Sequence, residues 1–323
     1  MTHPAQSPVL SVVTPNWNRI DTLERTLLAL EAQELSVPYE IIVVDDCSSD
    51  GSWSFLRDFA RRHPRLTAVQ TPANGGAAVA RNVGLARARG LVLVFVDADV
   101  VCRPDTLATL WDFHQRTPQN ETVALGQVRF PPEWTPTALF SLMDPTTMWQ
   151  GLTSGATVSW QHFYTGLIAA RTAFLRQANG FNEQLQRMED TELGARLHRL
   201  GMTLYYLPEA IGYHYHPRTF HQIVAQSRGY GRALAQLSDS PDPLLRTLAT
   251  ESWLVESSPR ALAKRCAGAL IGNPLAQPLA EPLLAWLLDH IPALGLPVAK
   301  LFLFHAARQG YASTRRMSDK EAR

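Results

Sequence analysis

Over the first hundred positions, short runs of β-branched and other apolar residues alternate with stretches of helical spacing. Residues 9–14 form the first run and predict a buried strand. A helix is predicted from Asp21, where Asp21-x-x-Glu24 resembles a capping box and Leu23, Leu27 and Leu30 recur on one face. Residues 40–44 predict a second strand, ending on Asp45-Asp46. A turn at Ser49-Asp50-Gly51-Ser52 leads to a helix carrying Phe55, Leu56 and Phe59 on its apolar face. A third strand is predicted at 66–70, and the loop Asn74-Gly75-Gly76 feeds a helix over 77–88. Residues 91–96 are apolar without interruption, so this strand is expected at the sheet centre, covered on both faces. It runs into Asp97-Ala98-Asp99.

Strands alternating with helices imply a mainly parallel sheet with right-handed crossovers, and such sheets bind ligands beyond the carboxyl ends of their strands. The polar clusters at 14–18, Asp45-Asp46 and 97–99 all fall at such ends, so they should line one crevice. After Val100 the pattern loosens. A helix is predicted at 106–115, a strand at 123–130, and a long loop over 131–155. A strand at 163–170 follows, then Gly180-Phe181-Asn182-Glu183, then a helix opened by Glu189-Asp190 with Leu193, Leu197 and Leu200. Two short strands are predicted at 203–207 and 211–215. Beyond Phe220 the chain reads as helical, Ala/Leu-rich and punctuated by proline. This places a boundary near Thr219, between a strand-and-helix domain at 1–219 and a helical extension at 220–323 that is expected to serve a partner, a homodimer or a membrane surface.

Composition narrows the function classes. The chain has 323 residues, 46% apolar and 18% charged, with a formal net charge of +1. That is an ordinary balance for a core-forming protein, and no overall field favours nucleic acid. Cys47, Cys102 and Cys266 are too far apart for a metal knuckle, which fits a reducing cytoplasm. Residues 1–7 lack the basic start and apolar run of a signal peptide. The stretch 283–305 is apolar but interrupted by Asp289, His290, Pro292, Pro297 and Lys300. It predicts two short helices lying on the protein or on a bilayer, at the inner face of the membrane if the latter.

Candidate chemistry concentrates in four places. Paired carboxylates at Asp97-x-Asp99 repel each other unless a hard cation such as Mg²⁺ or Mn²⁺ bridges them to phosphate; the plain alternative is a solvated acidic turn. Asp45-Asp46 can accept from a nucleobase or ribose, or cap the helix near Ser52. Asn74-Gly75-Gly76 offers amide groups at a helix start to an anion, with Arg81 on that helix's first turns, as a cation facing the anion or a surface salt bridge. Glu189-Asp190 either compensates a helix dipole or supplies a general base. His214 and His216 share a strand face and are read as metal ligand, phosphate contact or structural histidines.

Taken in order, five segments resemble the family 2 glycosyltransferases, which have the A-type nucleotide-diphospho-sugar transferase fold. They are Ser11-Val-Val-Thr-Pro-Asn-Trp-Asn-Arg19, Ile42-Val-Val-Asp-Asp-Cys-Ser-Ser-Asp-Gly-Ser52, Asn74-Gly-Gly-Ala-Ala-Val-Ala-Arg-Asn-Val-Gly-Leu85, Val94-Phe-Val-Asp-Ala-Asp99, and Gly180-Phe-Asn-Glu183 through Glu189-Asp-Thr-Glu-Leu193. Trp17 stands where that family usually has Tyr, and nothing beyond Phe220 fits its pattern. The resemblance implies an inverting, metal-dependent enzyme that moves a sugar from a nucleotide-sugar, a UDP-sugar first of all, to a saccharide, lipid-linked or small-molecule acceptor. Thr14, Pro15, Asn16, Trp17, Arg19, Asp45 and Asp46 would contact the nucleoside, with Asp46 at the base. Gly76 and Arg81 would line the donor pocket, with Asp97 and Ala98 beside ribose or metal. Asp99 and His214 would hold Mn²⁺ or Mg²⁺. Asp190 would be the catalytic base, assisted by Glu189. Two rivals remain: a haloacid-dehalogenase-like phosphatase with Asp97 as nucleophile, whose motif normally lies on a domain's first strand, and a non-catalytic nucleotide-sugar-binding module.

Overall fold

The computed structural model describes residues 7–143, 149–251 and 277–321. The chain divides into two compact units, one comprising Met1–Pro131 with Pro145–His216, the other Pro132–Asp144 with Pro217–Arg323. The first unit is built on β1 (Leu10–Asn16), α1 (Ile20–Glu31), β2 (Tyr39–Asp45), α2 (Ser52–Arg62), β3 (Leu66–Gln70), α3 (Ala77–Arg87) and β4 (Val92–Val96). It continues through β5 (Val100–Cys102), α4 (Thr106–Arg116), β6 (Thr122–Arg129), β7 (Thr157–Val158), β8 (Leu167–Arg171), α6 (Thr172–Gln177), α7 (Glu189–Arg199) and β9 (Thr203–His214). The short α5 (Ala138–Ser141) belongs to the second unit.

The described strands form one sheet in the order β3-β2-β1-β4-β8-β6-β9-β5, with β7 paired to β9. The β3-β2-β1-β4 half is parallel throughout, as its βα alternation requires. Beyond it the sheet is mixed: β8 is antiparallel to β4 and β6, β6 is parallel to β9, and β5 is antiparallel to β9. As expected from its unbroken apolar run, β4 is central and wholly buried between β1 and β8. Each buried valine, leucine or phenylalanine contributes about 1.5–3 kcal/mol by leaving water. Alternate residues of the strands feed two cores, one on each face: Val12, Ile41 and Val94 on one side, Val13, Ile42 and Phe95 on the other.

Several local expectations are corrected. Asp21 does not cap α1; Arg19 occupies the cap position with no side-chain bond, and Asp50 Oδ2 instead accepts from Ile20 N at 3.0 Å. The same Asp50 accepts from Ser52 N and Ser52 Oγ, so it, rather than Asp45 or Asp46, serves the start of α2. The strands expected at 203–207 and 211–215 are one strand, β9, whose register against β6 jumps from Leu207 to Ile211 between Gly126 and Gln127. That irregularity lets β9 run on to His214, opposite Val100 of β5, an element the residue pattern did not reveal.

In the second unit, α8 (Phe220–Ser238) opens with a true capping box, Thr219 with Gln222. Asp242 caps α9 (Pro243–Thr250), with proline in the first turn. The expected pair of short helices is instead α10 (Gln277–His290), with Pro282 inside it, and a long α11 (Pro292–Glu321), with Pro297 inside it. Phe220, Val224, Leu284, Leu288 and Phe302 form the core of this unit. Helix α8 crosses α11 at Gly231, where any Cβ would lie 1.8 Å from the Ala307 carbonyl oxygen. No described helix is long and apolar enough to cross a membrane. Cys266 and nearly all of 1–7 lie outside the described residues.

Candidate active site

Parallel pairing places the ends of β1, β2 and β4 along one sheet edge, with Asn16 opposite Asp45. Strand β9 is parallel to β6 and antiparallel to β5, so His214 reaches that edge too. Three clusters of predicted residues meet there.

The first is a saturated network. Asp45 Oδ1 accepts from Asn16 Nδ2 at 2.8 Å, and Oδ2 accepts from Ser48 N at 3.1 Å and Gln70 Nε2 at 3.0 Å. Asp46 accepts from Thr71 Oγ1 at 2.9 Å, Gly75 N at 3.0 Å and Gly76 N at 2.7 Å. The amide groups that the glycine loop offers to an anion are thus donated to Asp46. Gly76 is required there by its φ of +91° and by Gln186 Oε1, which would be 3.0 Å from a Cβ. Around these carboxylates, Thr14 Oγ1 and Asn16 Oδ1 are buried with no partner among the described residues. Pro15 is half-buried and Trp17 stands 53% exposed at the rim.

The second cluster centres on Arg81, which is buried despite its charge. Its guanidinium donates to Asp97 Oδ1 at 2.9 Å and to Glu189 Oε1 at 2.7 Å. It therefore ties the acidic turn to the start of α7, and the two anions raise its pKa further. Asp97 titrates above the usual carboxylate range because burial outweighs the attraction of Arg81. Asp190, next to Glu189, is half-buried, and among the described residues its carboxylate accepts only from the adjacent Thr191. Burial, reinforced by the Glu189 charge, pushes its pKa up to about 7 against the pull of Arg81. Met188, at φ 60°, turns the chain into α7 and sets both acids at the helix start.

The third cluster surrounds Asp99. Arg19 Nε lies 3.1 Å from Oδ2, and His214 Nε2 lies 3.5 Å from Oδ1. The Ala98 carbonyl accepts from Thr22 and Thr26 of α1, which fixes the acidic turn against that helix. The Asp99 backbone carbonyl accepts from Tyr215 N at 2.7 Å. His216 lies beyond the end of β9, its ring 6.2 Å from that of His214. Asp99 and His214 bring a carboxylate oxygen and an imidazole nitrogen together, a donor pair suited to Mn²⁺ or Mg²⁺. Among the described residues no third His, Cys, Asp or Glu joins them. The pair fits an ion that completes its shell with phosphate oxygens and water.

Sequence reasoning named most of these residues, Ser48 and Asp50 only as part of the 42–52 segment, and missed Thr71, Gln70 and Gln186, common polar residues in a loop or at a strand end with no motif to mark them. The acidic turn follows the fourth strand rather than the first, and Asp97 is bound to a buried arginine, which is not the arrangement of an aspartyl phosphatase.

A sheet of this order with an acidic turn past β4 has the A-type glycosyltransferase architecture, and solved structures agree. The mannosyltransferase PcManGT from Pyrobaculum calidifontis, in complex with GDP-Man and Mn²⁺, superposes with a TM-score of 0.65 at 21% identity, over 96% of this chain and 88% of that one. S. aureus TarS 1–349 in complex with UDP-GlcNAc gives 0.54 at 20% identity, over 95% and 91%. The chain belongs to Glycosyl transferase family 2, whose model matches residues 11–179. The pre-mycofactocin glycosyltransferase of Mycobacterium tuberculosis is 30% identical over 71% of this chain and 47% of its own length. The putative teichuronic acid biosynthesis glycosyltransferase TuaG of Bacillus subtilis is 39% identical over 33% of this chain and 42% of its own length. The chain thus spans less than half the length of these curated relatives.

Proposed function

We propose that this chain transfers a sugar from a nucleoside-diphosphate donor to an acceptor hydroxyl, with inversion at the anomeric carbon and Asp190 as general base. The observation that carries the reading is the Asp190 carboxylate, poorly supplied with donors, raised to about 7 and set beside Glu189, which Arg81 ties to the Asp97 turn. A carboxylate near neutrality at the working pH is basic enough to take a hydroxyl proton and still populated as the anion. Attack from the face opposite the diphosphate needs no enzyme nucleophile.

In this reading Thr14 and Asn16, buried at the end of β1, lie beneath the nucleoside pocket, with Trp17 at its rim. Asp45 and Asp46 shape that pocket through the network they hold. Glu189 keeps Arg81, and through it Asp97, in place. Asp99 and His214 would hold a divalent ion, which when bound supplies Lewis-acid stabilisation of the leaving diphosphate. Uridine is the first expectation for the base by family resemblance, although neighbouring structures hold GDP-Man and UDP-GlcNAc. Relatives named for teichuronic acid and succinoglycan biosynthesis favour a glycan or glycoconjugate acceptor. The unit that includes 217–323 would serve that acceptor, a second copy or a membrane surface.

A thermal-shift screen of UDP- and GDP-sugars, with and without Mn²⁺, tests the donor reading. At a ligand concentration a hundredfold above Kd, binding adds about 2.7 kcal/mol of stability and a clear rise in Tm. No shift with any nucleotide sugar in the presence of Mn²⁺ would contradict it.

A further inference from the structure

We infer that Arg19 occupies the place of the metal on Asp99 and thereby makes metal binding conditional on the donor; this rests on the reading of Asp99 and His214 as metal ligands. The two carboxylates of the acidic turn each hold an arginine, but the two cations differ in their freedom to leave. Arg81 on Asp97 has a side chain only 6% exposed and is also bound to Glu189. Arg19 on Asp99 has a side chain 29% exposed, and among the described residues its only other guanidinium contact is the carbonyl of Asn18. Asp99 itself is buried, so its charge needs a cation in the folded protein whether or not metal is present.

The backbone of Arg19 starts α1, its carbonyl accepting from Thr22 N and Leu23 N, which keeps the guanidinium within reach of the end of β4. A divalent ion on Asp99 brings a second positive charge to the same carboxylate, so Arg19 must withdraw. The guanidinium then keeps only the Asn18 carbonyl and water unless a diphosphate is present, and phosphate oxygens match its planar fork. Metal alone therefore competes with an ion pair already made. Metal arriving with a nucleoside diphosphate does not, because the displaced guanidinium moves to the phosphate. Linkage makes the coupling reciprocal: metal raises nucleotide affinity by the factor by which nucleotide raises metal affinity.

The experiment is Mn²⁺ titration of the full chain, read by the electron paramagnetic resonance signal of free Mn²⁺, alone and with UDP or GDP. Wild type is expected to bind Mn²⁺ weakly alone and more tightly with nucleotide. Arg19→Gln is expected to bind Mn²⁺ alone about tenfold more tightly than wild type and to gain less from nucleotide, a change typical of such couplings. Arg19→Lys keeps the charge and should stay near wild type, while Asp99→Asn should remove Mn²⁺ binding in every background. If Arg19→Gln binds Mn²⁺ no more tightly than wild type while Asp99→Asn abolishes binding, the exchange is wrong and the metal site stands. If Arg19→Lys gains as much as Arg19→Gln, the effect is not charge competition and the inference is overturned. If wild type binds no Mn²⁺ with either nucleotide, the metal reading fails and takes the inference with it.

Discussion

Two pairs of adjacent acids lie at one edge of the sheet, and their surroundings differ sharply. Asp45 and Asp46 are enclosed by donors: an asparagine, a glutamine, a threonine hydroxyl and three backbone amides. Glu189 holds a single arginine, Arg81, and among the described residues Asp190 receives only from the adjacent Thr191. Hydrogen bonds to a carboxylate stabilise the anion and spend its lone pairs, whereas burial without them raises its proton affinity. In the proposed reading the first pair shapes the pocket and Asp190 of the second does the chemistry, although both read as paired acids beside a secondary-structure boundary.

Asp190→Asn is the largest test of that contrast. Turnover should fall by about a thousandfold, the scale of general-base catalysis, while donor affinity by calorimetry stays near wild type. Retained turnover would leave Asp190 with a structural role only. The same substitution should stabilise the protein at alkaline pH. The folded pKa of about 7 lies above the ordinary 3.8, so the folded state holds a proton the unfolded state has lost, and stability falls as pH rises between those values. Asparagine carries no such cost, so the melting temperatures of the two proteins should diverge as pH rises from about 4 to about 7 and differ by a constant amount above that.

Asp46→Asn probes the other pair. An amide nitrogen turned toward Gly75 N or Gly76 N loses an acceptor for the start of α3, so stability should drop by about 3 kcal/mol in urea unfolding. Donor affinity should weaken with it, because the glycine loop would no longer be fixed. A variant of wild-type stability would mean that the network around Asp46 is incidental.

The contrast also marks how much was legible beforehand. Hydrophobic runs located β1 to β4, and the unbroken apolar run of β4 placed it at the centre. The sheet edge followed from parallel alternation, so the convergence of Asn16, Asp45 and Asp97 could be read from order alone. What could not be read was which acid found which donor. Asp50 serves α1 and α2, and Asp46 takes the amides of a loop almost thirty residues away. Asp50 to Ser52 is a local turn contact, but Asp50 to Ile20 and Asp46 to Gly75 are long-range pairings of common residues that no local pattern records. The mixed half of the sheet was similarly hidden: β5 is three residues long, and the irregularity that joins 203–214 into one strand depends on its partner β6.

Glu189→Gln gives the smallest effect and refines the account of Asp190. Removing that charge lowers the proton affinity of Asp190 and leaves Arg81 freer to act on it, so the acidic limb of activity should move to lower pH. The most direct measurement is the pH dependence of kcat/KM for sugar transfer by the wild-type protein, with the donor identified by the screen. The account predicts a rise of slope one that levels off near pH 7 and is displaced downward in Glu189→Gln. A profile flat from pH 5 to pH 8 in the wild type would contradict it.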